Sequence, residues 1–473
     1  MKKIIFTVCT LFGILGTASN GVFAEQAAAT VTPEMQTLNH AILKQLIEIN
    51  TTANYGTTAA AKAIAERLLE AGFPADDVQL LAPDNHPERA NVVVRLRGQN
   101  KAKPLLFIGH LDVVEALRED WTLDPFRLTE QDGWLYGRGT IDMKGQDSVV
   151  LTSLIALKKQ GFVPERDIIA AFTADEEQGD ANGVEWLLEA HRPLVDAGLV
   201  INPDGGEAGL QNGKHLYLVM QTSEKIYATF KLEVTDKGGH SSAPTAANPI
   251  YRLARALEKL STFRFPVDMT ATNRLYFERR SRLEQGQLRD DMLQMSRPHP
   301  GKAVLERLSA NSLVDILMRT TCTATMIQGG HAENALPQRA EAMIQCRIVP
   351  GESPELIRQT LARVVNDKSM SIQPVTRITL SPESKPDPAV LAPLEKLVHS
   401  MWPGVEVIPQ MSPGASDSIY TRAAGIPTFG IDAMFTDIDD DRFHGKDERI
   451  SEHAFNEELE FMYRLMRDLS VVP

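Results

Sequence analysis

The amino-acid sequence predicts an α/β protein in which a mostly parallel, mixed sheet is flanked by helices and interrupted by an inserted α+β sandwich. Two observations predict this class. In the first half of the chain, short apolar runs rich in β-branched residues alternate with helical patterns, as in a parallel sheet covered on both faces. After about residue 223, amphipathic strands and helices follow in a β-α-β-β-α-β order, which is typical of a split βαβ sandwich.

The composition is that of an acidic globular protein. Of its 473 residues, 43% are hydrophobic and 23% are charged, which excludes a disordered, collagen-like or coiled-coil chain. The 62 acidic residues outnumber the 49 basic ones, which gives a net charge of −13. Nucleic acids are not expected as partners, because phosphate binding needs a basic surface. Polybasic attachment to a membrane is not expected for the same reason.

Residues 1–24 have the pattern of a signal peptide. Lys2 and Lys3 precede an apolar stretch, residues 4–16, that is too short to span a bilayer comfortably. Val22 and Ala24 then occupy the small-residue positions of a cleavage site. We expect an exported protein, periplasmic or secreted, that has no membrane contact after cleavage. The alternative is an N-terminal anchor that is not removed.

The mature chain divides into a larger domain, residues 25–223 and 381–473, and an inserted domain, residues 224–380. In the larger domain, apolar runs predict strands and amphipathic or alanine-rich segments predict helices. The predicted strands are residues 91–96, 104–108, 167–173 and 199–202, and the predicted helices are residues 59–71, 143–160 and 181–191.

The inserted domain should contain four strands and two helices. The predicted strands are residues 226–235, 321–328, 341–349 and 370–380, and the predicted helices are residues 248–261 and 353–365. Residues 263–311 form a charged, helical insertion within it. Cys322 and Cys346 fall in predicted strands on either side of a loop, so an exported protein could join them in a cross-strand disulfide. Two buried free thiols are the equal alternative.

Five segments concentrate carboxylates and imidazoles near strand ends, where functional residues of such sheets gather. In the first segment, His110 and Asp112 share one face of an extended strand. A metal-bound imidazole commonly donates its second N–H to a carboxylate, which Asp112 could supply. In the second segment, Asp142 lies in a glycine-flanked turn before a helix. The alternative role for Asp142 is that of an ordinary helix N-cap.

The remaining three segments add further carboxylates and a second imidazole. Glu176 and Glu177 follow a buried strand. Adjacent carboxylates usually mark a solvated turn, but beside a metal one can bind the ion while the other takes a proton from water. Asp204 follows the next strand, and His444 stands in the motif Phe-His-Gly-Lys-Asp-Glu. Alone, these two would be a turn residue and a surface histidine.

Together these residues predict a metal site built from imidazoles and carboxylates without thiolates. Such a donor set fits Zn²⁺, with Co²⁺ or Mn²⁺ as alternatives. Because oxygen donors are numerous, a pair of ions bridged by a carboxylate is expected rather than a single ion.

The five segments, in their order along the chain, resemble the di-zinc aminoacylase/carboxypeptidase/dipeptidase family of metallopeptidases, a group of co-catalytic zinc exopeptidases. The resemblance covers about the whole mature chain. It implies that the larger domain is catalytic, that the inserted domain is a lid or dimerisation domain, and that two zinc ions bind. The implied metal ligands are His110 and Asp204 for one ion, Glu177 and His444 for the other, and Asp142 as the bridge.

The resemblance also implies roles in catalysis and in substrate binding. Glu176 would be the general base and Asp112 would orient His110. His240, in Gly-Gly-His-Ser-Ser, resembles the lid histidine that stabilises the oxyanion, often across a dimer interface; capping a turn is its alternative role. Asn334 and Arg347 match lid positions that bind substrate, and Arg347 could otherwise be a charge on a strand surface.

Three departures from the family pattern leave the substrate class open. Asp204 replaces the glutamate typical of carboxypeptidase- and aminoacylase-like members, Ile419 replaces a frequent arginine, and Gln345 replaces a common aspartate. The expected function is exported, zinc-dependent hydrolysis of the amide bond of short peptides, as a dipeptidase or exopeptidase. A carboxypeptidase or N-acyl-amino-acid hydrolase with the same core is the alternative. A catalytically silent metal- or peptide-binding protein would not need Glu176. A homodimer through the lid domain is possible.

Overall fold

The computed structural model describes residues 30–179 and 181–472, so the predicted signal peptide lies outside the described residues. The helices are α1 Pro33–Glu48, α2 Thr58–Glu70, α3 Lys144–Lys159, α4 Gly183–Ala190, α5 Arg192–Val195, α6 Pro249–Thr262, α7 Ala271–Arg280, α8 Gly286–Met295, α9 Lys302–Leu308, α10 Ser312–Met318, α11 Pro354–Val365, α12 Pro388–Met401, α13 Ser418–Ala423 and α14 Glu452–Ser470. Among the residues described, none of these helices has the length and apolar character needed to cross a bilayer.

The strands are β1 Val78–Leu81, β2 Asn91–Leu96, β3 Leu105–His110, β4 Thr129–Gln131, β5 Trp134–Tyr136, β6 Ile168–Thr173, β7 Leu199–Asn202, β8 Glu207–Gln211, β9 Lys214–Glu224, β10 Ile226–Thr235, β11 Gly239–His240, β12 Thr321–Gly329, β13 Ala335–Leu336, β14 Arg339–Ile348, β15 Ser371–Pro374, β16 Glu406–Ser412, β17 Thr428–Ile431, β18 Thr436–Asp437 and β19 Arg449–Ser451. Three short 3₁₀ turns, Ala75–Asp77, Arg118–Asp120 and Pro203–Gly205, complete the elements.

The large sheet has the strand order β1-β2-β6-β3-β7-β17-β9-β8-β18, and β16 pairs with β9. Its centre, β6-β3-β7-β17, is parallel throughout, whereas β1, β2 and the β8–β9 hairpin add antiparallel pairs. The prediction of a mostly parallel, mixed sheet flanked by helices is confirmed.

Helices cover both faces of this sheet. In β3, Leu106 and Ile108 pack into an apolar cluster together with residues of α4. Leu105 and Phe107 are equally buried and point to the opposite face, where α3 contacts β3. Strand β3 is therefore apolar at every position before its last two residues, as the sequence pattern of a fully covered strand requires.

The second sheet has the order β12-β14-β10-β15 and is antiparallel throughout. Helices α6 and α11 pack on one of its faces and form a common apolar core with β10 and β14. Cys322 of β12 lies opposite Cys346 of β14, and the two form a disulfide. Of the two alternatives left open by the sequence, the structure thus contains the disulfide.

One predicted strand is much shorter than expected. The pattern predicts a strand over residues 370–380, but β15 ends at Pro374. Beyond Val375, which donates its N–H to the carbonyl of Thr229, the chain leaves β10 and makes no further ladder bonds within the described residues. The apolar side chains of Val375 and Leu380 that suggested a strand are exposed.

The insertion at residues 263–311 is helical, as predicted, and helices α7 to α10 share an apolar core of their own. Helix α7 lies along β16, where Arg279 donates to the carbonyl oxygen of Val407 at 2.7 Å. The insertion therefore covers β16, which pairs with a single neighbour in the described part of the large sheet.

The chain passes from the large sheet to the second sheet at Lys225, between β9 and β10, and returns through α12. Lys225 is buried there and donates to the carbonyl oxygen of Arg319 at 2.6 Å. On this division of the sheets we propose a catalytic domain of residues 25–223 and 381–473 and a lid domain of residues 224–380.

Candidate metal centre

Three parallel strands end at the same edge of the large sheet and bring the first candidate residues together. Strand β3 ends at His110, and Asp204 lies in the 3₁₀ turn Pro203–Gly205 after β7. Glu176 and Glu177 occupy the turn after β6. Since β3 pairs with both β6 and β7, these turns are neighbours.

Asp142 lies between two imidazoles. Its Oδ1 is 3.0 Å from Nε2 of His110, and its Oδ2 is 2.7 Å from Nε2 of His444. His444 Nε2 is also 3.0 Å from Oε1 of Glu177, and Oδ1 of Asp204 is 4.0 Å from Nε2 of His110. All five predicted ligands therefore meet in one cluster. Asp142 is not the N-cap of α3, because that position is held by Met143 without a side-chain hydrogen bond.

The donor atoms of this cluster suit a cation. Nδ1 of His110 is 2.9 Å from the main-chain carbonyl oxygen of Asp112, which can only accept, so this nitrogen carries a proton. Nε2 of a neutral His110 then has a lone pair and faces the carboxylate of Asp142. Two acceptors at this distance require a cation between them or an extra proton. Donor atoms of His110, Asp142 and Glu177 lie within 4.8 Å of one another, as metal binding needs.

The Asp112 carboxylate, which was expected to accept the second N–H of His110, makes its hydrogen bonds elsewhere. It lies 3.8 Å from Nδ1 of His110, and the shorter contact of that nitrogen is with the Asp112 carbonyl oxygen. The carboxylate instead accepts the main-chain N–H groups of Glu176 at 3.2 Å and Glu177 at 3.0 Å. Asp112 thus holds the turn that carries both glutamates.

The buried carboxyl groups shift one another's pKa values. Burial and the charge of Asp204 raise the pKa of Glu176 well above its usual range, and burial raises the pKa of Asp204 to about 8. Hydrogen bonds to Asp142 and Glu177 raise the pKa of His444 to about 10. Burial is the main cause for the two carboxyl groups, and neighbouring carboxylates are the cause for His444; bound divalent cations would compensate this negative charge.

Glu448 is a site residue that the sequence reasoning missed. Its Oε1 accepts the main-chain N–H groups of Ile141 at 2.7 Å and Asp142 at 3.3 Å, and it forms a buried ion pair with Arg138. Glu448 therefore fixes the turn that presents Asp142. The available signal was its place in the motif Phe-His-Gly-Lys-Asp-Glu, four residues after His444.

The lid residues lie apart from this cluster. His240 is exposed, and its Nδ1 is 2.7 Å from Oγ of Ser242. Pairing of β11 with β13 brings it next to Asn334, whose carbonyl oxygen accepts the N–H of Ser241 at 3.1 Å. Within the described ranges, no hydrogen bond connects His240, Asn334 or Arg347 with the metal cluster.

Arg347 occupies the face of the lid sheet that is turned away from α6 and α11. Its guanidinium stacks over the ring of Tyr227 at 4.8 Å, and burial lowers its pKa. Nη1 of Arg347 is buried without a hydrogen-bond partner in the part of the chain that the structure describes. Such a group is suited to donating hydrogen bonds to a carboxylate.

Comparison with known proteins assigns the family. The model of peptidase family M20/M25/M40 matches residues 106–468, and this family comprises dinuclear metal-binding hydrolases. A probable carboxypeptidase S-like 2 of Dictyostelium discoideum is 32% identical over 381 residues, covering 77% of this chain and 72% of its own. The human N-fatty-acyl-amino acid synthase/hydrolase PM20D1 is 26% identical over 377 residues, with 77% and 74% covered.

The fold is similar to that of an M20 family metallo-carboxypeptidase from Sulfolobus solfataricus, with a TM-score of 0.64 and 18% identity over 92% of this chain and 99% of that one. The family match covers the lid sheet and the large sheet from β3 onwards, and it includes the five residues of the cluster. This chain is a metallohydrolase that belongs to peptidase family M20/M25/M40.

Proposed function

We propose that the protein is an exported, zinc-dependent hydrolase that cleaves the amide bond between an acyl or peptidyl group and an amino acid with a free carboxylate. The observation that carries this proposal is the Asp142 carboxylate held between His110 and His444. His110 and Asp204 would hold one zinc ion and Glu177 and His444 the other, with Asp142 shared between them. Co²⁺ or Mn²⁺ would suit the same donors.

In this proposal the chain's own residues move one proton. The metal ions, when bound, lower the pKa of water and polarise the scissile carbonyl. The carboxylate of Glu176 takes the proton from that water and delivers it to the leaving amine nitrogen. The carboxylate of Asp112 accepts the main-chain N–H groups of Glu176 and Glu177. It therefore fixes the base and the neighbouring ligand relative to each other.

Arg347 supports a substrate that ends in a free carboxylate. Its unpaired Nη1 and its packing on Tyr227 leave a half-buried guanidinium available for two parallel hydrogen bonds. The two curated relatives are named as a carboxypeptidase and an N-fatty-acyl-amino acid hydrolase, and both names fit such a substrate. A dipeptidase is the second candidate, because Asp204 stands where longer glutamates are typical of carboxypeptidase-like members.

A homodimer through the lid domain would bring His240 and Asn334 of one subunit to the other's site. His240 is exposed, and β12 is an edge strand of the lid sheet. Met326 and Ile327 of β12 are 58% and 63% exposed, and an apolar edge strand favours pairing with a second copy. Export is supported by the pattern of residues 1–24 and by the disulfide in the lid.

The test uses the purified mature protein loaded with zinc. N-acyl amino acids and amino-terminally blocked dipeptides should be cleaved, whereas their carboxy-terminal amides should be poor substrates. Glu176→Gln should lower kcat by at least about 100-fold with both metal ions retained, because only the base is lost. His444→Ala should lower the metal content measured by elemental analysis. Glu189→Gln, which removes an exposed charge on α4, is the matched control.

Two results would contradict this proposal. A near-native kcat in Glu176→Gln would remove the general base from the mechanism. Preference for free dipeptides over every substrate with a blocked amino terminus would favour the dipeptidase instead.

A further inference from the structure

A cavity of about 610 Å³ opens beside the metal cluster. Asp204 forms part of its wall, and so does Phe443, the residue before His444. Its size is that of a pocket for a side chain or a small ligand. At Gly206, a side chain is excluded, since a Cβ would come within 2.1 Å of the main-chain nitrogen of Asp432. Whatever binds in this cavity lies next to the predicted metal ligand Asp204.

The cavity contains a buried polar pair that has no cation. Gln146 and Asp432 line it and are 4% and 6% exposed. Nε2 of Gln146 donates to Oδ2 of Asp432 at 3.4 Å, and Oε1 of Gln146 has no hydrogen-bond partner among the described residues. The other carboxylate oxygen of Asp432 accepts the N–H of Met434 at 3.2 Å. A ligand that donates hydrogen bonds would satisfy Gln146 and Asp432 together.

The charge of Asp432 is retained near neutral pH. Glu458 packs beneath it, and burial raises the pKa of Glu458 well above its usual range, which favours its protonated form. Burial raises the pKa of Asp432 to about 6. Of the two carboxyl groups, Asp432 rather than Glu458 therefore carries most of the negative charge at pH 7. A buried carboxylate without a cationic partner is unfavourable until a cation arrives.

The rim of the cavity is negatively charged, like Asp432. Glu207, Asp437 and Asp441 line it. Arg442 is the basic residue among the described lining residues, and it already forms an ion pair with Asp440 at 2.9 Å. Carboxylates that surround a pocket raise the local concentration of cations and oppose anions. A long alkyl chain would gain little here, because it would bury these carboxylates without compensating them.

We propose that this cavity binds the cationic side chain of a basic amino acid, ending in an ammonium or guanidinium group, on one side of the scissile amide. The inference rests on the proposed function and names its substrate class: acylated or peptidyl substrates that contain a lysine- or arginine-like residue. Asp432 is the specificity residue, Gln146 supports it with an acceptor, and the acidic rim attracts the substrate.

The test compares lysine with norleucine, which has the same unbranched carbon chain without the terminal ammonium group. Amino-terminally blocked dipeptides would carry lysine or norleucine at either position, and kcat/KM would be measured for each with the zinc enzyme. We expect lysine to be preferred at one of the two positions by about tenfold or more, as for a charge-assisted hydrogen bond. Asp432→Asn should bring this ratio close to one.

Two further variants keep the test decisive. Asp439→Asn removes an exposed carboxylate outside the cavity, on the same loop, and should leave the lysine/norleucine ratio unchanged. If Asp432→Asn does not fold, Asp437→Asn at the rim should lower the ratio by a smaller factor. An equal rate for lysine and norleucine in the wild type would overturn the inference while leaving the proposed function intact.

A protein that cleaves none of these substrates would instead contradict the proposed function. The cavity is then tested alone by calorimetry with butylammonium chloride and with butanol. Binding of butylammonium only, lost in Asp432→Asn, would support the cation site. Absence of binding, or equal binding of butanol, would overturn it.

Discussion

Removing the disulfide between Cys322 and Cys346 is expected to destabilise the lid domain by about 3.5 kcal/mol at 25 °C, from the loop-closure entropy of an unfolded chain. The bridged residues are 24 apart in sequence, which sets this figure. The bond joins β12, an edge strand of the lid sheet, to its neighbour β14. Its loss therefore frees the edge strand and the loop that contains β13 and Asn334.

The double variant Cys322→Ala/Cys346→Ala tests this value without introducing a buried hydroxyl. Cys346 has no exposed surface and belongs to the lid core, so the measured loss should equal the entropic value or exceed it slightly. Free energies of unfolding would come from urea titrations followed by circular dichroism. The wild type would be measured with and without reductant.

Reductant should lower the stability of the wild type and leave the double variant unchanged. A difference below about 1 kcal/mol between oxidised and reduced wild type would refute the reasoning, because it would mean that the unfolded chain gains little freedom. A reductant effect in the double variant would show that the measured change has another origin.

Three other substitutions test buried polar contacts of the larger domain. Asp112→Asn should lower kcat about 10- to 100-fold with metal retained, because an amide cannot accept both N–H groups of the glutamate turn; unchanged kinetics would contradict this role. Arg422→Met should reduce the free energy of unfolding in urea by about 3–5 kcal/mol, because it leaves Glu224 buried without its cation. Glu458→Gln should flatten the pH profile of stability. Burial raises the folded pKa of Glu458, so wild-type stability falls as pH rises from about 4.5 towards that pKa; parallel profiles would disprove this.

Much of the fold could be predicted because its signals are local. Strands β2, β7 and β10 begin and end at the predicted residues, since each is an apolar or alternating run of residues. The β8–β9 hairpin was not predicted, although Asn212-Gly213 separates its strands and both residues have positive φ. An Asn-Gly pair between two strands is a strong hairpin signal. The first residues of β9 are polar, so the sequence pattern did not predict this strand.

The assignment of the five metal ligands rests on the resemblance to the family, whereas the proximity of His110, Glu177 and Asp204 could be predicted, because each lies at or just after the end of a strand of the parallel sheet. The contacts that position them could not. Asp112 uses main-chain groups of Glu176 and Glu177, which depend on the shape of a turn rather than on residue type. The partners of Glu448 lie more than 300 residues earlier in the chain, and no local pattern connects them.

Contacts between residues far apart in the sequence join the two parts of the proposed catalytic domain. His444 contacts Asp142, and Glu448 fixes the turn that carries Asp142, so residues 444–448 complete a site whose other residues precede the lid. The cluster therefore connects both ends of the catalytic domain across the inserted sheet. Because the metal ligands become neighbours only in the folded chain, metal binding adds its free energy to this connection. The disulfide stabilises the lid alone, since both of its cysteines lie in the lid sheet. The metal cluster thus joins distant segments of the larger domain, whereas the disulfide joins two strands of the lid sheet.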